Sequence, residues 1–178
     1  MAASTSPHKA IHIDIEEISD TGCECTVAQG RELLIEYGRF VLAQPNAAGF
    51  CFGSLEKEAE RLPLSYREQG GGCLLARIHE KPAGFVAWRR LPSSTEPDAW
   101  EMKRLWVRPE ARGSGLGKQL TKAVLDRAVA AGCPAVYLDT VPEAMAAAHR
   151  MYLTLGFVAC APYNDNPIDG ITYLVKRF

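Results

Sequence analysis

Residues 99–140 combine a strand, a glycine-rich loop, a helix and a second strand, and this order constrains the fold more than any other part of the chain. The first strand pattern is AWEMKRLWV (99–107), and the loop RPEARGSGLGKQL (108–120) follows it. Apolar residues then recur at helical spacing over residues 116–131. AVYLDT (135–140) is typical of a buried strand. The order predicts two strands in one sheet, joined by a right-handed helical crossover.

The rest of the sequence supplies further strands and helices. The additional elements expected are a strand at 11–18, a helix at 27–43, a short helix capped by Ser54, the hairpin strands CLLARI and AGFVAWRR, a helix from Pro142 to the residue before Gly156, and the final strands FVACA and ITYLVKR. The order βααβββαβαββ predicts a mixed α/β fold, with helices flanking a mixed sheet. One domain is expected over 11–178, after a disordered tail at 1–10.

Charge and composition indicate a protein without a general attraction for polyanions. The chain has 178 residues, 20 basic and 21 acidic side chains and a net charge of -1, so neither nucleic acid nor an anionic membrane is expected as a partner. The amino terminus lacks the apolar core of a secretory signal, which favours a cytoplasmic location. The six cysteines are then expected to be thiols, most of them buried.

The glycine-rich loop has the features of an anion-binding site. Glycine permits positive φ and lets a ligand approach the backbone without meeting a Cβ. Between a strand and a helix, such residues leave the first N–H groups of the helix unpaired, with the positive end of the helix dipole behind them. Arg112 and Lys118 add positive charge at its two edges. Phosphate is the ligand class that this combination predicts.

Two well-known phosphate loops fit the sequence less well. A P-loop ending at Gly117-Lys118 would need glycine at position 112, where arginine stands, and a hydroxyl at position 119, where glutamine stands. The dinucleotide-binding pattern G-x-G-x-x-G fits Gly113 and Gly115, but Lys118 occupies the third glycine position. A nucleotide enzyme with a Rossmann-like fold therefore remains a weaker alternative.

Two separated motifs resemble the Gcn5-related N-acetyltransferase (GNAT) superfamily. Arg112-x-x-Gly115-x-Gly117 is similar to its R/Q-x-x-G-x-G/A motif, and HRMYLTLGF (149–157) resembles its helix-to-strand segment. The similarity spans roughly residues 72–178. It implies a mixed, mostly antiparallel sheet of six to seven strands flanked by about four helices. It also implies acetyl-CoA as co-substrate, a small-molecule or peptide amine as acceptor, and no metal.

The resemblance implies a specific cofactor site. The diphosphate of CoA would rest on the amides of residues 112–118, and pantetheine would lie along the strand that ends at Val107, where this strand splays from 135–140. The cofactor-binding residues expected are Leu105, Trp106, Val107, Arg112, Gly113, Ser114, Gly115, Leu116, Gly117 and Lys118. A backbone N–H near Val107 would stabilise the oxyanion.

Catalysis of acetyl transfer to an amine requires a base and an acid. At pH 7 only about one lysine-like amine in two thousand is neutral. Glu101 is the expected base, and the alternative is an exposed strand-end carboxylate that pairs with Lys103 or Arg90. Tyr152 is the expected acid for the leaving thiolate, and the alternative is a core aromatic on an apolar helix face.

Four further polar residues and two further functional alternatives stay open. Asp139 is expected to cap a helix or to touch the acceptor or the cofactor, and Tyr163, Asn164 and Asn166 either line the acceptor site or hold a turn. A protein that binds CoA without catalysis, as a sensor or scaffold, is the main alternative to an acetyltransferase. The fold class also allows a homodimer through an exposed sheet edge.

Overall fold

The strands of the chain form one mixed sheet. The computed structural model describes residues 12–45, 52–92 and 96–178, so the tail expected at 1–10 lies outside the described residues. The strands are Ile13–Glu17 (β1), Gly72–Ile78 (β2), Lys81–Arg90 (β3), Trp100–Val107 (β4), Ala135–Thr140 (β5), Val158–Ala159 (β6) and Thr172–Arg177 (β7). The helices are Glu24–Leu42 (α1), Phe52–Glu60 (α2), Leu64–Arg67 (α3), Leu116–Ala130 (α4) and Ala146–Thr154 (α5).

The strand order across the sheet is β1-β2-β3-β4-β5-β7-β6. Among the described strands, β4 and β5 pair in parallel, and every other neighbouring pair is antiparallel. The crossover through α4 joins this one parallel pair, as the sequence predicts. A dinucleotide-binding fold has an open and mostly parallel sheet, so the topology excludes the Rossmann-like alternative. The mixed α/β fold class is confirmed.

The two faces of the sheet bury two hydrophobic cores. In β2, Leu74 and Ala76 pack on the side of α4, whereas Cys73 and Leu75 pack on the side of α1 and α2. Successive side chains of a strand point to opposite faces, so a strand covered on both faces is apolar at every position. This explains why CLLARI lacks the alternation that marks β1, which lies at the edge of the sheet.

Three local expectations differ from the structure. Helix α5 begins at Ala146 instead of Pro142, because residues 142–144 form a turn that the Met145 N–H closes by donating to the Val141 carbonyl. A proline fits the first position of a turn as well as that of a helix. Ser54 lies inside α2 and does not cap it. The strand expected from FVACA is reduced to the two residues of β6.

The described cysteines differ in exposure, and Cys160 is half-buried. Cys73 and Cys133 are buried, as expected, and the five described cysteines are free thiols, while Cys51 lies outside the described residues. The expectation of burial was wrong for Cys23 and Cys25, which are exposed at the start of α1. The Cys23 sulfur accepts a hydrogen bond from the Cys25 N–H at 3.3 Å, so it acts as the helix cap. Within the described residues, no helix has the length and apolar character that a membrane span requires.

Candidate functional site

The glycine-rich loop connects β4 to α4 through two residues with left-handed backbone. Gly113 has φ of 81° and Gly115 has φ of 82°, and α4 begins directly after Gly115. A Cβ added at either position would meet nothing within 4 Å. The two glycines are therefore required by backbone conformation, and the space beside them stays open for a ligand.

The loop presents a row of backbone donors. Within the described chain, the N–H groups of Gly113, Ser114, Gly115, Gly117 and Lys118 donate to no carbonyl or side chain. Only the Leu116 N–H has a weak partner, the Ser114 hydroxyl oxygen at 3.4 Å. Unpaired donors at the start of a helix attract anions. The anion cradle expected from the sequence is present in the backbone geometry.

Strand β4 separates from β5 beside this loop. The two strands pair at Trp100 with Val136 and at Glu101 with Tyr137, and then diverge. A β-bulge lies where they part, since the register with β3 shifts between Lys103 and Trp106 and Arg104 has φ of 60°. Bulges bend a strand and re-aim its side chains. The splay between the two strands therefore opens a gap along the second half of β4, as predicted.

A cavity of about 490 Å³ fills this gap and extends to the loop. Nine of the ten residues expected to bind the cofactor line it: Leu105, Trp106, Val107, Arg112, Gly113, Gly115, Leu116, Gly117 and Lys118. Ser114 is not among the lining residues, because its hydroxyl turns back to donate to the Ala111 carbonyl at 2.7 Å. The cavity, hereafter the main cavity, is long and apolar along β4 and polar at the loop.

Sequence reasoning missed the helices that form the other walls of the main cavity. Tyr37 and Phe40 of α1 line it, as do residues 144–148, which are four alanines and Met145, and Met151 in the middle of α5. The alanine-rich run AMAAA (144–148) could have predicted this wall, since small side chains near the start of a helix allow a ligand to approach closely. The contribution of α1 has no comparable signature, because Tyr37 and Phe40 also fit an ordinary amphipathic helix.

Arg112 is held at the edge of the main cavity by aromatic rings. Its guanidinium carbon lies 5.0 Å from the ring centroid of Trp106 and 5.5 Å from that of Phe40, within cation–π range. Its Nε donates to the Val107 carbonyl at 3.2 Å. Arg112 thereby keeps its charge beside the loop without an acidic partner among the described residues.

The indole of Trp106 is itself fixed from α1. Its Nε1–H donates to a Glu36 carboxylate oxygen at 3.1 Å, and Arg108 donates to the same carboxylate at 2.7 Å. Burial alone would raise the pKa of Glu36, but the hydrogen bonds from Arg108 and Trp106 lower it below its ordinary value. Glu36 is therefore ionised at neutral pH and anchors the strand beside the cavity.

A smaller cavity of about 40 Å³ adjoins the main one. Tyr37, Leu105 and Met145 line both, so the two cavities meet at these residues. The polar residues that line the smaller cavity are Lys103, Arg104, Asp139, Thr140 and Tyr152. We call it the polar chamber. On β4, residues 102–105 line the polar chamber, and residues 105–107, which lead to the glycine loop, line the main cavity.

Tyr152 faces the polar chamber from α5. The residue is 5% exposed, and its ring packs edge-on against Phe157 at 5.7 Å between centroids. Burial raises the pKa of the phenol well above its usual range, and the nearby Tyr37 and Asp139 raise it further. Tyr152 is therefore protonated at neutral pH and combines a packing contact with access to the chamber.

Glu101 is neither exposed nor part of either cavity wall. Its side chain is 1% exposed, and one oxygen accepts from Arg89 Nε at 2.6 Å while the other accepts from Lys103 Nζ at 3.2 Å. The same second oxygen is 3.4 Å from the Tyr163 hydroxyl and from Asn164 Nδ2. The alternative of an exposed carboxylate was wrong about exposure and about Arg90, which pairs with Asp98, but right about Lys103.

Asp139 does not cap a helix. Its Oδ2 accepts hydrogen bonds from Asn164 Nδ2 and Asn166 Nδ2, both at 3.1 Å. These two bonds tie the end of β5 to the loop before β7, and the carboxylate lines the polar chamber. Tyr163, Asn164 and Asn166 thus contribute to the surroundings of the chamber by holding its charged residues.

Comparison with known proteins agrees with this geometry. The model of the acetyltransferase (GNAT) family matches residues 40–157. An uncharacterized N-acetyltransferase of Schizosaccharomyces pombe is 40% identical over 124 residues, which are 69% of this chain and 74% of the yeast protein. N-acetylaspartate synthetase of Xenopus tropicalis is 30% identical over 126 residues, 70% of this chain, but this chain covers only 45% of that enzyme.

A solved structure shows the same fold. An acetyltransferase structure from Salmonella typhimurium, determined with its cofactor acetyl-CoA, superposes with a TM-score of 0.65 at 18% identity, and the match covers 93% of each chain. The family model spans more than half of the sequence, including the glycine loop and α5. The chain therefore belongs to the GNAT family of acetyltransferases.

Proposed function

We propose that this protein transfers the acetyl group of acetyl-CoA directly to a primary amine. The observation that carries the proposal is the row of unpaired N–H groups at the start of α4, which opens onto the main cavity along β4. CoA carries a diphosphate and a long, weakly polar arm, and the loop and the cavity are complementary to these two parts. The Salmonella structure that shares this fold contains acetyl-CoA.

The cofactor binds with its diphosphate on the amides of residues 113–118. Arg112 and Lys118 neutralise its charge from the two edges of the loop. Pantetheine follows Leu105, Trp106 and Val107, where the separation of β4 from β5 leaves strand edge available for its amide groups. The thioester then reaches the junction of the main cavity with the polar chamber.

The chemical step needs an oxyanion donor on one side of the thioester and an acid on the other. A backbone N–H of β4 near Val107 stabilises the oxyanion, which requires no side chain. Tyr152 donates its phenolic proton to the leaving thiolate. Burial raises the pKa of this phenol, so it is protonated at neutral pH and has a proton to give.

The size of the polar chamber indicates which class of amine could be the acceptor. The polar chamber has room for a small group such as an aminomethyl or α-amino group, so a small molecule or the end of a peptide can present its amine there. The partial relationship to N-acetylaspartate synthetase makes aspartate one acceptor to include in a screen. Metal is not part of the proposal, and no cluster of metal ligands occurs in the described ranges.

A thiol-release assay tests the proposal. The full chain is incubated with acetyl-CoA and a panel of amines that includes aspartate, other amino acids, polyamines and peptide amino termini. Acceptor-dependent release of CoA, together with mass-spectrometric detection of an amide product, is the expected result. Binding of acetyl-CoA without release across the panel would favour a sensor or scaffold instead.

A further inference from the structure

Of the carboxylates near the polar chamber, Glu101 and Asp139 have different surroundings. Both oxygens of Glu101 accept hydrogen bonds from cations, Arg89 on one side and Lys103 on the other. The side chain is 1% exposed and lies outside the walls of both cavities. Cationic donors therefore occupy both oxygens of Glu101, and the residue faces neither cavity.

Asp139 is held differently. Both of its side-chain hydrogen bonds, from Asn164 and Asn166, fall on Oδ2. Its neighbour Thr140 and the opposite strand residue Lys103 complete this side of the polar chamber. The donors on Oδ2 are neutral amides, and Oδ1 accepts no hydrogen bond from the described residues, so one oxygen is left for a donor that enters the chamber.

Ionisable side chains from several elements surround Asp139. The ionisable side chains whose charges interact with it are Tyr37 of α1, Lys103 of β4, Tyr152 of α5, Tyr163 of the loop before β7, and Tyr173 of β7. Burial raises the pKa of each of the four tyrosines, and the charge of Asp139 raises it further. Burial lowers the pKa of Lys103, and the charges of Glu101 and Asp139 oppose that effect.

We infer that Asp139 binds the acceptor ammonium and takes its proton, and that Glu101 is a positioning residue that holds Lys103 and Asn164. This inference rests on the proposed function. Asp139, the proposed base, and Tyr152, the proposed acid, line the same chamber. Glu101, the base expected from the sequence, contacts the chamber residue Lys103 without lining the chamber itself.

Two protons leave the acceptor nitrogen during the step. The acceptor ammonium gives one proton to the Asp139 carboxylate, which later releases it to solvent. The nitrogen lone pair forms the C–N bond to the thioester carbon, and the C–S bond breaks as the tetrahedral intermediate collapses. The thiolate takes the Tyr152 proton, and the second proton of the nitrogen restores the phenol. The products are the amide, CoA with a free thiol, and one proton in solvent.

The test compares Asp139→Asn with Asp126→Asn, an identical change at an exposed position of α4. With the best acceptor from the amine panel, Asp139→Asn should lower kcat/KM at pH 7 by about 100-fold. As the pH is raised toward the pKa of the acceptor amine, the ratio of wild-type to variant kcat/KM should fall by up to about tenfold for each pH unit, because the neutral amine becomes correspondingly more abundant. Asp126→Asn should match the wild type at every pH.

If Asp139 has a purely structural role, Asp139→Asn will lose the same factor in kcat/KM at every pH, and this result would overturn the inference. A wild-type kcat/KM in Asp139→Asn would also overturn it. If Asp139→Asn lacks a cooperative thermal transition, the pH profile of Glu101→Gln decides. In Glu101→Gln, kcat/KM should depend on pH as it does in the wild type. A loss of kcat/KM that disappears at high pH would instead make Glu101 the base. Failure of the wild type to acetylate any amine would contradict the proposed function itself, an outcome distinct from an active Asp139→Asn.

Discussion

The guanidinium carbon of Arg112 lies 5.0 Å from the ring centroid of Trp106, so the arginine of the Arg112-x-x-Gly115-x-Gly117 motif packs on the strand that borders the main cavity. Trp106 is fixed in turn by its hydrogen bond to Glu36 of α1. The charge at the edge of the loop is therefore oriented before any ligand binds. Such preorganisation lowers the entropic cost of recognising a diphosphate.

Replacement of Arg112 should weaken CoA binding. Arg112→Ala removes one cation from the proposed diphosphate site, and we expect the Kd for CoA to rise about tenfold at low salt, with less dependence of Kd on salt concentration than in the wild type. Titration calorimetry at two salt concentrations measures both effects. Arg61→Ala, at an exposed arginine paired with Glu68, should leave the Kd unchanged. An unchanged Kd in Arg112→Ala would remove this residue from the site.

A substitution in the loop separates backbone strain from ligand binding. Gly115 and Gly132 both have positive φ, 82° and 69°, and neither would bring an added Cβ within 4 Å of another atom. Gly115→Ala and Gly132→Ala should therefore destabilise the fold by a similar amount, about 1 kcal/mol each. Only Gly115→Ala should weaken CoA binding, since its Cβ projects where the cofactor approaches. Urea unfolding and calorimetry give the two quantities, and equal CoA affinity in both variants would contradict the account.

Loss of the Tyr152 hydroxyl should slow turnover without weakening CoA binding. Tyr152→Phe keeps the aromatic contact with Phe157, so the melting temperature should change little. If the phenol protonates the thiolate, kcat should fall about 100-fold. Steady-state kinetics with the best acceptor, together with calorimetry for CoA, measures both properties. Full turnover in Tyr152→Phe would leave the residue with a packing role.

The Glu36 cluster should make stability depend on pH. Because the folded pKa of Glu36 is below its unfolded value, its contribution is complete above the unfolded pKa and is lost as pH falls through the folded pKa. Glu36→Gln should therefore lower the free energy of unfolding at pH 7 by about 1–2 kcal/mol, and by less at pH 3. Urea unfolding at the two pH values measures the difference. An equal loss at both would show that the carboxylate charge is not responsible.

Much of the fold follows from local sequence patterns. The helical spacing of Leu116, Leu120 and Val124 predicts α4, and these residues are fully or almost fully buried against the sheet. Gly113 and Gly115 predict the loop, because the positive φ of both residues favours glycine. The start of α5 at Ala146 was not predictable from Pro142, since a proline fits a turn and a helix equally well.

The details of the site depend on contacts between distant residues. Glu101 meets Arg89 through the pairing of β3 with β4, and Asp139 meets Asn166 across 27 positions. No local pattern specifies these partners, because they arise from the register of the sheet and the path of a loop. For that reason the sequence identified the carboxylate on the strand that leads to the motif, whereas the structure brings a second one to the chamber wall.

The central claim is that the amides of residues 113–118 bind the diphosphate of CoA. Calorimetry of the wild-type protein with CoA and with pantetheine, which lacks the nucleotide diphosphate, tests it most directly. The account predicts saturable binding of CoA and affinity for pantetheine at least about 100-fold weaker, because the charge-assisted contacts of the loop are lost. Equal affinity for the two compounds, or no binding of CoA, would contradict it.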